Sequence, residues 1–73
     1  FDGFRFDADD NLWTSCGDGV GCYATSGEQI GYIKMPERVS NVEFGGKEGN
    51  TLFITASTSL YMTALNIKGA KFK

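Results

Sequence analysis

The sequence predicts an all-β chain in which one antiparallel unit occurs twice. Three observations carry this. Helical periodicity is nearly absent. Short β-branched and aromatic runs recur between turn residues at intervals of about 8–12 residues. The two halves also repeat: Phe6 matches Phe44 and Tyr23 matches Tyr61 at one common spacing, and Leu12-Trp13 matches Leu52-Phe53 at a slightly wider one. A four-stranded repeat of about 40 residues is the spacing of a β-propeller blade. One blade leaves both sheet faces uncovered, and propellers typically use about four to eight. The pattern therefore predicts either a part of a larger propeller or one of several chains that assemble into one. A free-standing small β-sandwich or meander is the other fold the pattern allows.

The elements follow in order. Phe4 and Phe6 alternate with Arg5 and Asp7, and the polar turn Ala8-Asp9-Asp10-Asn11 leads into Leu12-Trp13-Thr14-Ser15-Cys16. Gly17-Asp18-Gly19 closes that strand as a hairpin turn, because glycine accepts positive φ without strain. Val20 to Thr25 forms the third run, Ser26-Gly27-Glu28 turns it, and Gln29 to Met35 forms the fourth. Pro36 has no N–H for a ladder and marks a boundary. Val39 to Phe44 then begins again and stops at Gly45-Gly46. Thr51 to Ala56 is the most apolar run and is expected to be the most buried. Thr58 to Leu65 is a further strand, and Asn66 to Lys73 is expected to trail off as a solvated polar end. The unit has three clear strands in both copies and a fourth only in the first.

Composition excludes several functions. Seventy-three residues make at most one small domain, and a chain of this size buries only about 60% of its unfolded surface. There is no histidine, which removes Ser-His-Asp and Cys-His nucleophilic machinery from within the chain. Net charge is −2 and the seven Lys and Arg residues are scattered until Lys68, Lys71 and Lys73, which argues against a nucleic-acid partner. No apolar run is long enough to cross a bilayer as a helix, so no membrane role is expected.

Candidate chemistry concentrates at Asp2-Gly3, an acidic residue beside a glycine at the start of the first strand. Taken alone, Asp-Gly is more often a turn. Asp7-Ala8-Asp9-Asp10-Asn11 begins like an EF-hand loop, but its sixth position is Leu12 rather than glycine, so a hairpin turn is the better reading. Ser40 and Asn41 stand, by the repeat, level with Asp2 and Gly3, where they could line a pocket or serve the local turn. Arg5 suits an ion pair between blades better than a polyol contact. Trp13, Phe53 and Ile54 read as core between blades. Cys16 and Cys22 flank a short turn and could face one another; two reduced thiols are the commoner arrangement in a cytoplasmic protein. A cytoplasmic location is expected, with a periplasmic or secreted one left open.

Asp2-Gly3-Phe4-Arg5-Phe6-Asp7 with Asn11-Leu12-Trp13-Thr14-Ser15 resembles the gluconolactonase family that includes regucalcin, the senescence marker protein. Further stretches carry the resemblance: Gly17-Asp18-Gly19-Val20, Cys22-Tyr23, Asn41-Val42-Glu43-Phe44-Gly45-Gly46, Thr51-Leu52-Phe53-Ile54-Thr55 and Thr58-Ser59-Leu60-Tyr61. The resemblance implies roughly the last two four-stranded blades of a six-bladed β-propeller, with residues 1–37 the penultimate blade and 38–73 the last. It implies one divalent metal ion at the mouth of the channel, calcium before zinc, with Asp2 as the one ligand inside this segment. Phe1 stands where the family more often has proline. The implied activity is metal-dependent hydrolysis of a sugar lactone by the intact propeller, with Asp2 as metal ligand and general base, and Gly3, Ser40 and Asn41 as pocket lining. The implied partners are the small-molecule lactone and the remaining blades, in the same parent chain or a separate one. The isolated segment is expected to be inactive. The alternative is a non-catalytic calcium-binding or partner-binding propeller.

Overall fold

The computed structural model describes residues 4–72. The described chain is all-β: β1 (Phe4–Phe6), β2 (Leu12–Cys16), β3 (Gly19–Tyr23), β4 (Gln29–Lys34), β5 (Val39–Gly45), β6 (Thr51–Ala56) and β7 (Leu60–Ala64), then one 3-10 turn over Ala70–Phe72. Two antiparallel sheets form, a four-stranded one in the order β1-β2-β3-β4 and a three-stranded one in the order β5-β6-β7. Met35 to Arg38 joins them, with Pro36 outside both ladders.

The internal repeat is visible in the hydrogen-bond register. Phe4 faces Thr14 and Phe6 faces Leu12, as Val42 faces Ile54 and Phe44 faces Leu52. Trp13 faces Cys22 and Ser15 faces Val20, as Phe53 faces Met62 and Thr55 faces Leu60. The sequence shift is thus constant within each strand, and slightly larger for the second and third strands than for the first. Tyr23 and Tyr61 do not correspond, contrary to the sequence expectation. Tyr61 faces Ile54 and is therefore the counterpart of Gly21, which faces Thr14. The Tyr23 ring lies over Gly21, where an added Cβ would come within 2.9 Å of it. A tyrosine a little further along the strand thus covers the place that Tyr61 covers from its own position.

The sheets pack face to face. Val42, Phe44, Leu52 and Ile54 are at most 2% exposed and form the core with Val20, Met35 and Val39. Trp13 and Ile33 close it from the first sheet, and the Trp13 and Phe44 rings meet edge-on at a centroid distance of 6.2 Å. Trp13 and Ile54 thus serve as inter-sheet core, as expected. Phe53 stands on the far face of the second sheet, half-buried, because side chains alternate along a strand. β6 is not the most buried strand. Gly19 to Cys22 of β3 are all buried, because rings rather than hydrophobic side chains of its own cover the glycines.

The turns explain the hairpins. Gly17-Asp18 is a two-residue loop between the paired Cys16 and Gly19, with positive φ (63°) at Gly17 alone, the signature of a type II′ turn. The β1–β2 and β3–β4 connections share another design. Asp10 N–H donates to Asp7 C=O and Asp7 N–H to Asn11 C=O, as Gly27 N–H donates to Ala24 C=O and Ala24 N–H to Glu28 C=O. Each carries a left-handed residue, Asp10 (φ 67°) in one and Gly27 (φ 93°) in the other.

The C-terminal segment is a strap, which corrects the expected solvated end. Lys68 C=O accepts Ala8 N–H at 2.8 Å, and Gly69 N–H donates to Gly49 C=O at 3.0 Å. Gly69 is buried against Phe44 with no room for a side chain. The strap thereby ties the β1–β2 turn of one sheet to the β5–β6 turn of the other. Cys16 and Cys22 are free thiols on opposite faces of the first sheet by the register, one half-buried and one buried.

Candidate functional site

Asp2 and Gly3 lie outside the described residues, immediately before β1. Their repeat counterparts head β5. There the Ser40 hydroxyl donates to Thr55 C=O at 3.0 Å, and Asn41 Oδ1 accepts Val42 N–H at 2.8 Å. Both side chains are exposed and hold the irregular start of β5, where the register shifts between Val39 and Asn41. Among the described residues no group of three or more His, Cys, Asp or Glu converges as a metal cage would require. None of the helices among them is long and apolar enough to cross a membrane.

β1 and β5 are neighbours across the sheet interface, and a charge row joins them. Arg5 Nε donates to Glu43 Oε1 at 2.7 Å, and Lys71 of the strap holds Glu43 Oε2. The inter-blade ion pair expected of Arg5 is therefore present. The Lys71 bond holds the Glu43 carboxyl below its ordinary value; partial burial opposes this and the Arg5 bond reinforces it. Sequence reading named Arg5 without its partner, although the signal was available. Glu43 is Arg5's counterpart in the second copy and carries the opposite charge.

Asp7 is a polar hub that sequence reading treated only as part of a turn. It is 1% exposed. Oδ1 accepts Asp9 N–H at 2.9 Å and Asn11 N–H at 3.0 Å. Oδ2 accepts Asn11 Nδ2 at 3.1 Å and the Trp13 indole N–H at 2.8 Å. Burial pushes this carboxyl up, but the bonds from Trp13, Asn11 and Asp9 more than offset it and hold it below its ordinary value. Every acceptor position is directed inward, so the EF-hand-like loop is a hairpin organised by its first aspartate, as an Asx turn is.

A second clasp was not legible in any pattern. Glu37, in the connection between sheets, accepts Thr58 N–H at 2.9 Å, the Thr58 hydroxyl at 2.6 Å and the Tyr61 hydroxyl at 2.6 Å. The Thr58 hydroxyl, then the Tyr61 hydroxyl and the Thr58 amide, push its carboxyl down to about 2. Met35 N–H donates to Asp18 C=O at 2.9 Å in the other sheet's hairpin. The connection is therefore fastened to both sheets.

Comparison with known proteins agrees with this architecture. The family model described as SMP-30/gluconolactonase/LRE-like region matches residues 1–58. A solved X-ray structure described as a candidate gluconolactonase is similar, with 40% sequence identity and a TM-score of 0.88. That likeness covers 92% of this chain and 23% of the other, so this chain spans under a quarter of the relative's length. No curated protein matches. The matched span takes in Asp2-Gly3-Phe4, both halves of the Arg5–Glu43 pair and the Asp7 turn, and with it this chain belongs to the SMP-30/gluconolactonase family.

Proposed function

We propose that the two sheets are adjacent sectors of a propeller that hydrolyses a sugar lactone, with Asp2 as metal ligand and general base. The observation that carries this reading is Asp2-Gly3-Phe4 leading into the inner strand β1, inside the span that matches the family. The reading concerns the whole propeller, six-bladed by family, of which these sheets are the penultimate and last. The remaining blades, in the same chain or a separate one, supply the other ligands and most of the pocket.

A lactone is a cyclic ester. Hydrolysis forms a bond from water oxygen to the carbonyl carbon and breaks the bond from that carbon to the ring oxygen. One water proton must leave as the bond forms, and one must reach the departing ring oxygen. The Asp2 carboxylate accepts the first and returns a proton to the second. A bound divalent ion, calcium before zinc, would polarise the carbonyl and acidify the water. Oxygen donors suit a hard cation of this kind, and Asp2 is the ligand this segment contributes. Gly3 leaves space beside that carboxylate for the substrate. Ser40 and Asn41, at the head of the adjacent inner strand, line the pocket.

The test is a pH-indicator assay of aldonolactone hydrolysis by the whole propeller with calcium, beside calcium titration calorimetry. Asp2→Ala is expected to lower the rate at least about a hundredfold, the scale of general-base catalysis, and to weaken calcium binding. An unchanged rate and affinity would refute the role of Asp2. Calcium binding by the wild-type protein without hydrolysis would establish the non-catalytic alternative instead.

A further inference from the structure

We infer that the C-terminal strap is the floor of the lactone pocket. It lies inside the central channel, closes it at the end away from Asp2, and presents Lys71 and Glu43 to the far end of a bound lactone. The ligand in this inference rests on the lactonase reading; the place of the strap does not.

The placement follows from which edge of β1 the strap uses. β1 pairs with β2 along one edge. Asp7 N–H points to that side, toward Asn11 C=O. Successive amides of an extended chain point to opposite edges. The next one, Ala8 N–H, accordingly points the other way and donates to Lys68 C=O at 2.8 Å, and Gly69 bridges Asp7 in the antiparallel sense. The strap therefore sits on the free edge of β1. The two sheets meet through β1, β2 and β5, while β4 and β7 lie at their far edges. In a ring of sheets around a channel, β1 and β5 are then the inner strands and their free edges face the axis.

The strap follows this inner edge across both sheets. Gly69 packs on Phe44 of β5, and Lys71 holds the carboxylate of Glu43 that Arg5 Nε also reaches. Only a cavity of about 190 Å³ is left between the strap and the inner strands, lined by Arg5, Phe6, Glu43, Phe44 and residues 69–71.

The end of the channel is also fixed. Asp2 leads into β1 and Ser40 and Asn41 head β5, whereas Asp7, Phe44 and Gly49, which the strap touches, stand at the opposite end of the same strands or just beyond. From Ser40 down to Glu43 is three residues of extended strand, a depth of about 10 Å. A lactone ring held by its carbonyl at the mouth directs its hydroxylated end toward that depth. A hydroxyl both donates and accepts, and the floor supplies a donor in Lys71 and an acceptor in Glu43. A lactone without hydroxyls would leave these charges desolvated and unpaired, which is costly.

Two measurements on the whole propeller test this. The first is thiol labelling of Ala70→Cys, inside the proposed channel, beside Asn66→Cys on the exposed surface, each followed by peptide mass spectrometry. A small methanethiosulfonate is expected to modify both. A maleimide bearing a polyethylene glycol chain is expected to modify Ala70→Cys at least about tenfold more slowly than Asn66→Cys, because access limits the rate. An Ala70→Cys thiol that reacts with both reagents as Asn66→Cys does, or with neither, would overturn the inference. The second is Lys71→Ala assayed on glucono-1,5-lactone and on δ-valerolactone, the same ring ester without hydroxyls. The fall in kcat/KM is expected to be about tenfold larger for gluconolactone, through KM, as for one lost hydrogen bond to a charged group. An equal fall on both substrates would mean that Lys71 only supports the fold and would overturn the floor contact. If the wild-type protein hydrolyses neither lactone, the lactonase reading fails, and labelling still decides where the strap lies.

Discussion

The two sheets share one register yet are stabilised differently. The second buries Val42, Phe44, Leu52 and Ile54 in an apolar interface and turns between β5 and β6 with left-handed glycines, Gly46 and Gly49. The first leaves the counterparts Phe4 and Phe6 about half exposed and makes the equivalent turn around the buried carboxylate of Asp7. Asp7 corresponds to Gly45 in the repeat, so the second copy has no such anchor. The equivalent turn is thus set by left-handed glycines in one copy and by a saturated polar hub in the other. The sequence repeat records the common pairing but not which force sustains each copy.

The largest expected break in this comparison is at the paired leucines. Leu52 is fully buried, and Leu52→Ala should cost about 3 kcal/mol in a urea unfolding measurement. Leu12→Ala, at the matching half-buried position, should cost about 1 kcal/mol. Equal costs would mean that the two faces are not distinguished as described.

Asp7→Asn comes next, at about 2 kcal/mol, because an amide turns a donor toward the Trp13 indole or the Asn11 groups that need an acceptor. The same residue sets a pH dependence. Its folded carboxyl lies below the unfolded value of 3.8, so its stabilisation is present above about pH 4 and is lost as pH falls through the folded value. Glu37 and Glu43, both shifted downward, act with the same sign. The urea midpoint should therefore drop between about pH 6 and about pH 3, and Asp7→Asn should drop less. A steeper drop in the variant would contradict the assignment.

Gly21→Ala probes the tyrosine difference. The new methyl would displace the Tyr23 ring and should cost about 1 kcal/mol, with a changed near-UV tyrosine signal. The smallest effect is a gain. Asp10 occupies the left-handed turn position that Gly27 fills in the β3–β4 turn, so Asp10→Gly should stabilise by at most about 1 kcal/mol, read as a small rise in melting temperature.

Much of the fold was legible because it depends on side-chain pattern. The alternation of Phe4 and Phe6 with Arg5, the Gly17-Asp18 turn and the stop at Pro36 all specify local backbone, and the chain obeys them. What escaped depends on space rather than pattern. Gly19 and Gly21 have no hydropathy to betray the most buried strand, since Tyr32 and Tyr23 cover them from elsewhere. The strap at Lys68 and Gly69 is fastened through backbone groups, which every residue carries alike. The tyrosine match failed because identity at one position was mistaken for register. Of the candidate site, Ser40 and Asn41 lie at the head of β5, exposed and bonded to Thr55 and Val42, whereas Asp2 rests on its motif and its family.

The Asp2 carboxylate carries the central claim. Crystals of the whole propeller grown with calcium, measured for anomalous scattering, would locate the ion directly. The expected result is a peak about 2.3–2.6 Å from an Asp2 carboxylate oxygen, at the mouth of the central channel. A calcium peak elsewhere, with the Asp2 carboxylate turned outward to bulk water, would contradict it.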